Sequence, residues 1–291
     1  MIFLALSILC STSIILLFKV FERWDVNVSR VITINYLVCV IVGTGAGLSE
    51  GTLQNRSLDI SWLWLAAVLG ILFIIGFNWM NQTVKKNGVT VATVASKTSF
   101  IISATGSFLI FSELVNWQKI LALALAIPGV YLVTLKERDI RSKLKDLSLP
   151  AAVLMSSGLI EILLKLAQQR YVAPAAYHTF LIALFGSAAL TGIVMQLFAS
   201  DAIKRTKFQK ELLAGLILGL PNYGSIYFLV KVLNQPDWEA SFIYPINNTG
   251  IVVLAGLMAM LFFKERMSKL NWWGLLFALC AIILISLGEY A

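Results

Sequence analysis

Residues able to do chemistry are sparse in this 291-residue chain, and they stand inside otherwise apolar sequence. Ser157, Glu161, Lys165 and Gln168 recur at i, i+4, i+8 and i+11, which places them on one face of a helix. Glu161 is the carboxylate in the middle of a long apolar run, where an ionisable group costs about 2.5 to 3.5 kcal/mol on insertion scales unless it is paired or wetted. Two readings are open. Glu161 carries a coupling proton or meets a cationic group on a substrate, with Lys165 tuning it or meeting an anion. Alternatively, Glu161 and Lys165 form a structural pair at i, i+4, with Lys165 near enough to an interface to snorkel. Lys97, within Ser96-Lys97-Thr98, lies about seven residues into another apolar run, near 10 Å deep at helical rise. At that depth it binds a substrate carboxylate or phosphate, pairs with Glu161, or snorkels to the headgroups.

Amides and tyrosines supply the remaining polar groups. Tyr244-Pro245-Ile246-Asn247-Asn248 opens an apolar run with a proline that removes a backbone hydrogen bond, which predicts a broken helix with two amides beside it. Tyr244, Asn247 and Asn248 are therefore candidate substrate contacts, the alternative being hydrogen bonds between helices. Asn78, beside Asn81 and Gln82, and Asn222 and Tyr223, near Tyr227, are further candidates, with packing as their competing role. His178, the one histidine, reads as interfacial or as a proton relay. Gly215 and Gly219 form a GxxxG suited to close packing inside the monomer. Cys10, Cys39 and Cys280 lie in apolar runs without metal-ligand spacing, so no metal or cofactor is expected.

The elements that position these residues follow from composition. With 59% apolar residues, 13% charged residues and a mean hydropathy of +0.85, the chain belongs in a lipid bilayer. A span needs about 20 apolar residues, and ten stretches qualify: 2–19, 30–48, 62–84, 90–112, 117–135, 148–168, 174–199, 211–233, 239–263 and 271–288. The first apolar run lacks a positive leader and a small-residue cleavage site, so it is expected to stay as a helix. The net charge of +8 is scattered through connectors rather than spread over one face, which argues against nucleic acid. The connectors after odd spans hold seventeen Lys and Arg, the others four: Arg56, Lys119, Arg170 and Lys231. Cytoplasmic loops accumulate such residues, so both termini are expected outside the cytoplasm, in an inner or cytoplasmic membrane crossed many times.

Two halves show in the pattern. Ser11–Trp24 aligns with Ser157–Arg170 at a constant offset, placing Lys19 on Lys165. Phe111-Ser112-Glu113 before Asn116-Trp117 matches Phe263-Lys264-Glu265 before Asn271-Trp272-Trp273-Gly274. Residues 1–145 and 146–291 are thus expected to be five-helix repeats. An odd number of helices per half inverts the second, a construction typical of secondary transporters.

On these residues the chain resembles the drug/metabolite transporter superfamily, in its ten-helix EamA-like branch. The resemblance rests on the five-plus-five pattern, on Glu113 and Glu265 ending spans four and nine, and on Trp272, Trp273 and Gly274. It implies an all-α carrier whose halves enclose a cavity that opens alternately to the two sides. Members often carry proline in spans four and nine; here Pro245 stands in span nine, whereas span four has Ser96-Lys97-Thr98. The expected function is secondary transport, as exporter or exchanger, of a small polar metabolite such as an amino acid or a related anionic or zwitterionic compound. Its partners are that solute, the bilayer and a coupling proton. A channel or a non-transporting scaffold or receptor is the alternative. No HExxH and no glycine-rich phosphate loop is present, which speaks against an enzyme.

Overall fold

A computed structural model describes residues 1–21, 23–51, 60–87, 89–99, 102, 106, 110, 117–134, 148–173, 176–198, 205–235, 240–263 and 268–288. The regular elements among them are all helical. In chain order they are α1 (Ile2–Phe21), α2 (Val28–Ser49), α3 (Leu63–Asn87), α4 (Val89–Thr98), α5 (Trp117–Thr134), α6 (Ser148–Leu166), α7 (Tyr177–Leu197), α8 (Arg205–Leu233), α9 (Ala240–Phe263) and α10 (Lys269–Gly288). Among the described residues, six helices are long and apolar enough to cross a bilayer: α1, α2, α3, α6, α7 and α8. Glu113 and Glu265 lie outside the described residues.

The helix ends follow local chemistry. Asn27 caps α2, its side-chain oxygen accepting from the backbone N–H groups of Ser29 at 3.1 Å and Arg30 at 3.3 Å. At the other end the chain leaves the helix through Gly51, whose φ of 69° suits a residue without Cβ. A single π turn, Ala167–Tyr171, prolongs α6 one step beyond Lys165.

The helices are apolar nearly all round, so small residues decide where they meet. α2 lies in the groove between α7 and α8, while α3 packs on α6 and α7, and α1 on α8 and α9. Gly70 of α3 sits against the α7 backbone: a Cβ there would be 2.6 Å from the Leu184 carbonyl oxygen. Gly215 and Gly219 of α8 let α2 approach through Ile34 and Val38, and a Cβ on Gly219 would lie 2.6 Å from Val38. The GxxxG is therefore a seam within the chain. Aromatic rings of α2, α3 and α7 fill the centre, with Tyr36 and Phe185 stacked at 6.1 Å and Phe73 edge-on to both. Large apolar side chains such as Ile41, Leu190, Phe262 and Trp272 face outward, as a bilayer solvent requires.

The expectation of a broken helix at Pro245 does not hold. α9 runs without interruption from Ala240 to Phe263, and α8 likewise continues through Pro221. Proline removes only the bond to the carbonyl four residues back, and neighbouring helices hold the rest of the ladder in place.

Candidate functional site

Glu161 lies fourteen residues into the nineteen of α6, and three helices converge on it. Asn248 of α9 donates from Nδ2 to Glu161 Oε1 at 2.7 Å, and the hydroxyl of Ser99, just past α4, lies 3.4 Å from the same oxygen while donating to the Ser96 carbonyl at 2.6 Å. Tyr244, one turn before Asn248, donates its hydroxyl to the backbone carbonyl of Glu161 at 3.1 Å. Lys97 is half-buried on α4, close enough to Glu161 to interact with its charge. One turn earlier on α6, Ser157 donates to the Ser96 hydroxyl at 3.3 Å. A carboxylate in apolar surroundings needs such donors, since a hydrogen bond to a charged group contributes about 1.5 to 3 kcal/mol.

Lys97, Glu161, Tyr244 and Asn248 are thus brought together. Asn247 precedes Asn248 on the same helix, 4% exposed, with no hydrogen-bond partner for its Oδ1 among the described residues. Lys165 is 1% exposed, so its ammonium is enclosed by protein and does not snorkel to the headgroups. Ser99 is a contact that the sequence does not announce; it closes a run already marked by Lys97, but its partner is 62 residues away.

The other candidates lie elsewhere. Asn222 donates to Asn35 Oδ1 at 3.0 Å across the α2–α8 seam, where it ties two helices together. Asn78 donates to the Ile74 carbonyl at 2.8 Å and lines a cavity of about 540 Å³ at the end of the bundle holding Lys85, Lys207 and the start of α2. Beside that cavity Arg30 reaches Glu211 at 3.4 Å, and Glu211, fully buried, also accepts from the Asn27 N–H at 3.1 Å.

About 30 Å away along α2, at its opposite end, a second polar cluster surrounds Glu50. Tyr227 donates to Glu50 Oε1 at 2.6 Å, Lys231 to the same oxygen at 3.3 Å, and His178 Nε2 stands 3.0 Å from Oε2. A carboxylate only accepts, so His178 Nε2 carries hydrogen, and a neutral ring leaves Nδ1 to accept from Tyr223 OH at 3.3 Å. The Tyr227 hydroxyl, followed by His178 and Lys231, pulls the Glu50 carboxyl down to about 2 from its ordinary 4.5, against the opposing effect of burial. His178, expected at an interface, is buried at 4% exposure because these partners enclose it. Gly47-Leu48-Ser49-Glu50-Gly51 spells GxSxG, but Ser49 ends a helix and bonds the Ala46 carbonyl at 2.8 Å, and both ring nitrogens of His178 are engaged elsewhere. The strand-to-helix turn that makes such a serine a nucleophile is not what stands here.

A half-buried carboxylate and lysine thus lie among apolar helices, with amide and hydroxyl groups beside them. The sequence model of the EamA-like transporter family matches residues 1–135. Those residues belong to the EamA-like transporter family. Similarity extends further along this EamA-like chain. A Haemophilus influenzae protein, named only as uncharacterized, is 27% identical over 96% of the chain and 95% of its own length. A protein of known crystal structure shares the fold, with a TM-score of 0.67 at 15% identity over 98% of this chain and 97% of that one. The chain is a multi-pass helical membrane protein whose first 135 residues match a transporter family, and the likeness to the other two proteins runs along nearly its whole length.

Proposed function

We propose that this EamA-like protein is a secondary active transporter, an exporter or exchanger, for a small anionic or zwitterionic metabolite such as an amino acid. Alternating access takes place around the site at Lys97, Glu161, Tyr244, Asn247 and Asn248. The observation that carries this reading is the convergence of α4, α6 and α9 on one buried carboxylate. Glu161 holds the coupling proton or the cationic group of the substrate, and Lys97 with Lys165 meets its anionic group.

The architecture we infer is ten spans in two inverted repeats, residues 1–145 and 146–291, in the inner membrane with both termini outside. Helix packing supports it. Shifting the helix number by five turns the principal neighbour pairs into one another: α2 on α8 becomes α7 on α3, α1 on α9 becomes α6 on α4, and α1 on α8 becomes α6 on α3. Such an exchange of contacts is what two repeats related by an axis in the membrane plane produce.

The test is untargeted mass spectrometry of medium and cytosol from cells overproducing the wild type, beside Lys97→Ala at matched membrane abundance. A metabolite redistributed by the wild type and not by Lys97→Ala names the substrate and puts Lys97 on its path. Redistribution by both keeps the carrier and removes Lys97 from the site. Conductance far above carrier turnover in reconstituted bilayers counts against the carrier.

A further inference from the structure

The cavity at the Lys85 end lies apart from the Glu161 cluster, and nothing in the transport reading assigns it a task. Its volume of about 540 Å³ falls in the range of small-molecule sites. Three amides of α3, Asn78, Asn81 and Gln82, line one wall, and Arg30, Lys85 and Lys207 supply cations. Two carboxylates are also present, each already engaged: Glu211 with Arg30 at 3.4 Å and Asp25 with Lys207 at 2.8 Å. Among the described lining residues the cations outnumber the carboxylates three to two.

The chamber and the deeper site share a helix pair, α3 packing on α6. Gly76 of α3, two residues before Asn78, packs on Ser156 of α6, whose Oγ is 3.4 Å from where a Gly76 Cβ would lie. Ser157, next to Ser156, bonds Ser96 of α4, and Glu161 stands one turn further along α6.

We propose that this cavity is a loading site, at which the single anionic group of a small water-soluble solute, a carboxylate or a phosphate, docks on Lys85, Lys207 and Arg30 while the amides of α3 bind its polar body. The fate of the docked solute rests on the carrier reading, but docking itself is measurable without transport. The amides, which both donate and accept, accommodate a polar remainder.

The experiment places the full chain in phosphatidylcholine nanodiscs at constant ionic strength and follows its thermal unfolding midpoint against inorganic phosphate and against acetate. A ligand bound by the folded state alone raises that midpoint in a saturable way. Saturable stabilisation by either anion is expected in the wild type. It should weaken at least tenfold in apparent Kd in Lys85→Gln/Lys207→Gln, which removes two exposed cations, and tighten several-fold in Asp25→Asn, whose carboxylate is 86% exposed. Gly45→Ala, with nothing within 4 Å of its new methyl, should bind like the wild type. No saturable effect of either anion overturns the proposal, as does stabilisation indifferent to the Lys85 and Asp25 variants. Binding lost in Lys97→Ala but kept in Lys85→Gln/Lys207→Gln assigns the anion to the Glu161 cluster and overturns it too. Stabilisation by phosphatidylglycerol, lost in Lys85→Gln/Lys207→Gln while neither free anion acts, overturns it by making the cavity a headgroup site instead. The carrier reading is judged separately by metabolite redistribution, so either idea can fail alone.

Discussion

Asn248 and Glu161 are 87 residues apart in the chain, yet the amide of one donates to the carboxylate of the other at 2.7 Å, joining α9 to α6 in the apolar interior. The bond has a direct consequence. Asn248→Ala removes the 2.7 Å bond to Oε1 of Glu161, beside which the Ser99 hydroxyl stands at 3.4 Å. A bond to a charged group contributes about 1.5 to 3 kcal/mol, so a fall of roughly ten- to a hundredfold in transport is expected at unchanged membrane abundance. Counterflow in proteoliposomes measures it, and wild-type rates would remove Asn248 from the mechanism.

Glu161→Gln separates the proton reading from the structural one. The amide keeps the volume and can still bond Asn248, but it cannot take up a proton. If Glu161 carries the coupling proton, the variant loses pH-dependent accumulation while retaining exchange of substrate down its gradient. Accumulation by Glu161→Gln with the pH dependence of the wild type returns Glu161 to a structural role.

Glu50 predicts a stability that depends on acid. Its folded carboxyl is held at about 2 against an ordinary 4.5, so the contribution of the cluster is present above about pH 4.5 and is lost as pH falls toward 2. The thermal midpoint of the wild type should therefore drop between pH 6 and pH 3 more steeply than that of Glu50→Gln. Tyr227→Phe, which removes the strongest donor, should flatten the wild-type slope. Parallel slopes in all three proteins would mean that the cluster is too solvated to matter.

The glycine seams predict a contrast between two glycine-to-alanine changes. Gly70→Ala drives a methyl group to 2.6 Å from a backbone oxygen of α7, which cannot rotate away. Overpacking costs about 1 to 3 kcal/mol and more where backbone must move, so loss of folded, detergent-stable protein is expected. Gly45→Ala, with nothing within 4 Å of its new methyl, should behave like the wild type. Size-exclusion profiles and unfolding midpoints of the two variants decide it.

Much of this protein is legible in its residues because a bilayer leaves a chain few choices. With no water to satisfy backbone groups, long apolar runs become helices, and the spans expected at 2–19, 30–48, 148–168 and 211–233 fall within or against α1, α2, α6 with its π turn, and α8. Lys97 and Glu161 stand out for the same reason, since a charge in hydrocarbon must find a partner. The proline reading fails because sequence shows the missing donor at Pro245 but not the neighbours that tolerate it. Arg30 and Glu211, each the first residue of an expected span, give no sign there that they meet at 3.4 Å.

Composition and apolar run length, then, determined a helical membrane protein and which polar side chains its interior would have to accommodate, because burial in lipid is a local cost borne by each residue. Only the tertiary structure decided that Asn248 and Ser99 would serve Glu161 while Asn222 would serve Asn35, and that Glu50 would gather His178, Tyr227 and Lys231. Those pairings depend on which helix faces which. That choice is made by shape, with glycines such as Gly70 and Gly219 admitting one neighbour closely, and shape complementarity between distant segments has no signature in either segment alone.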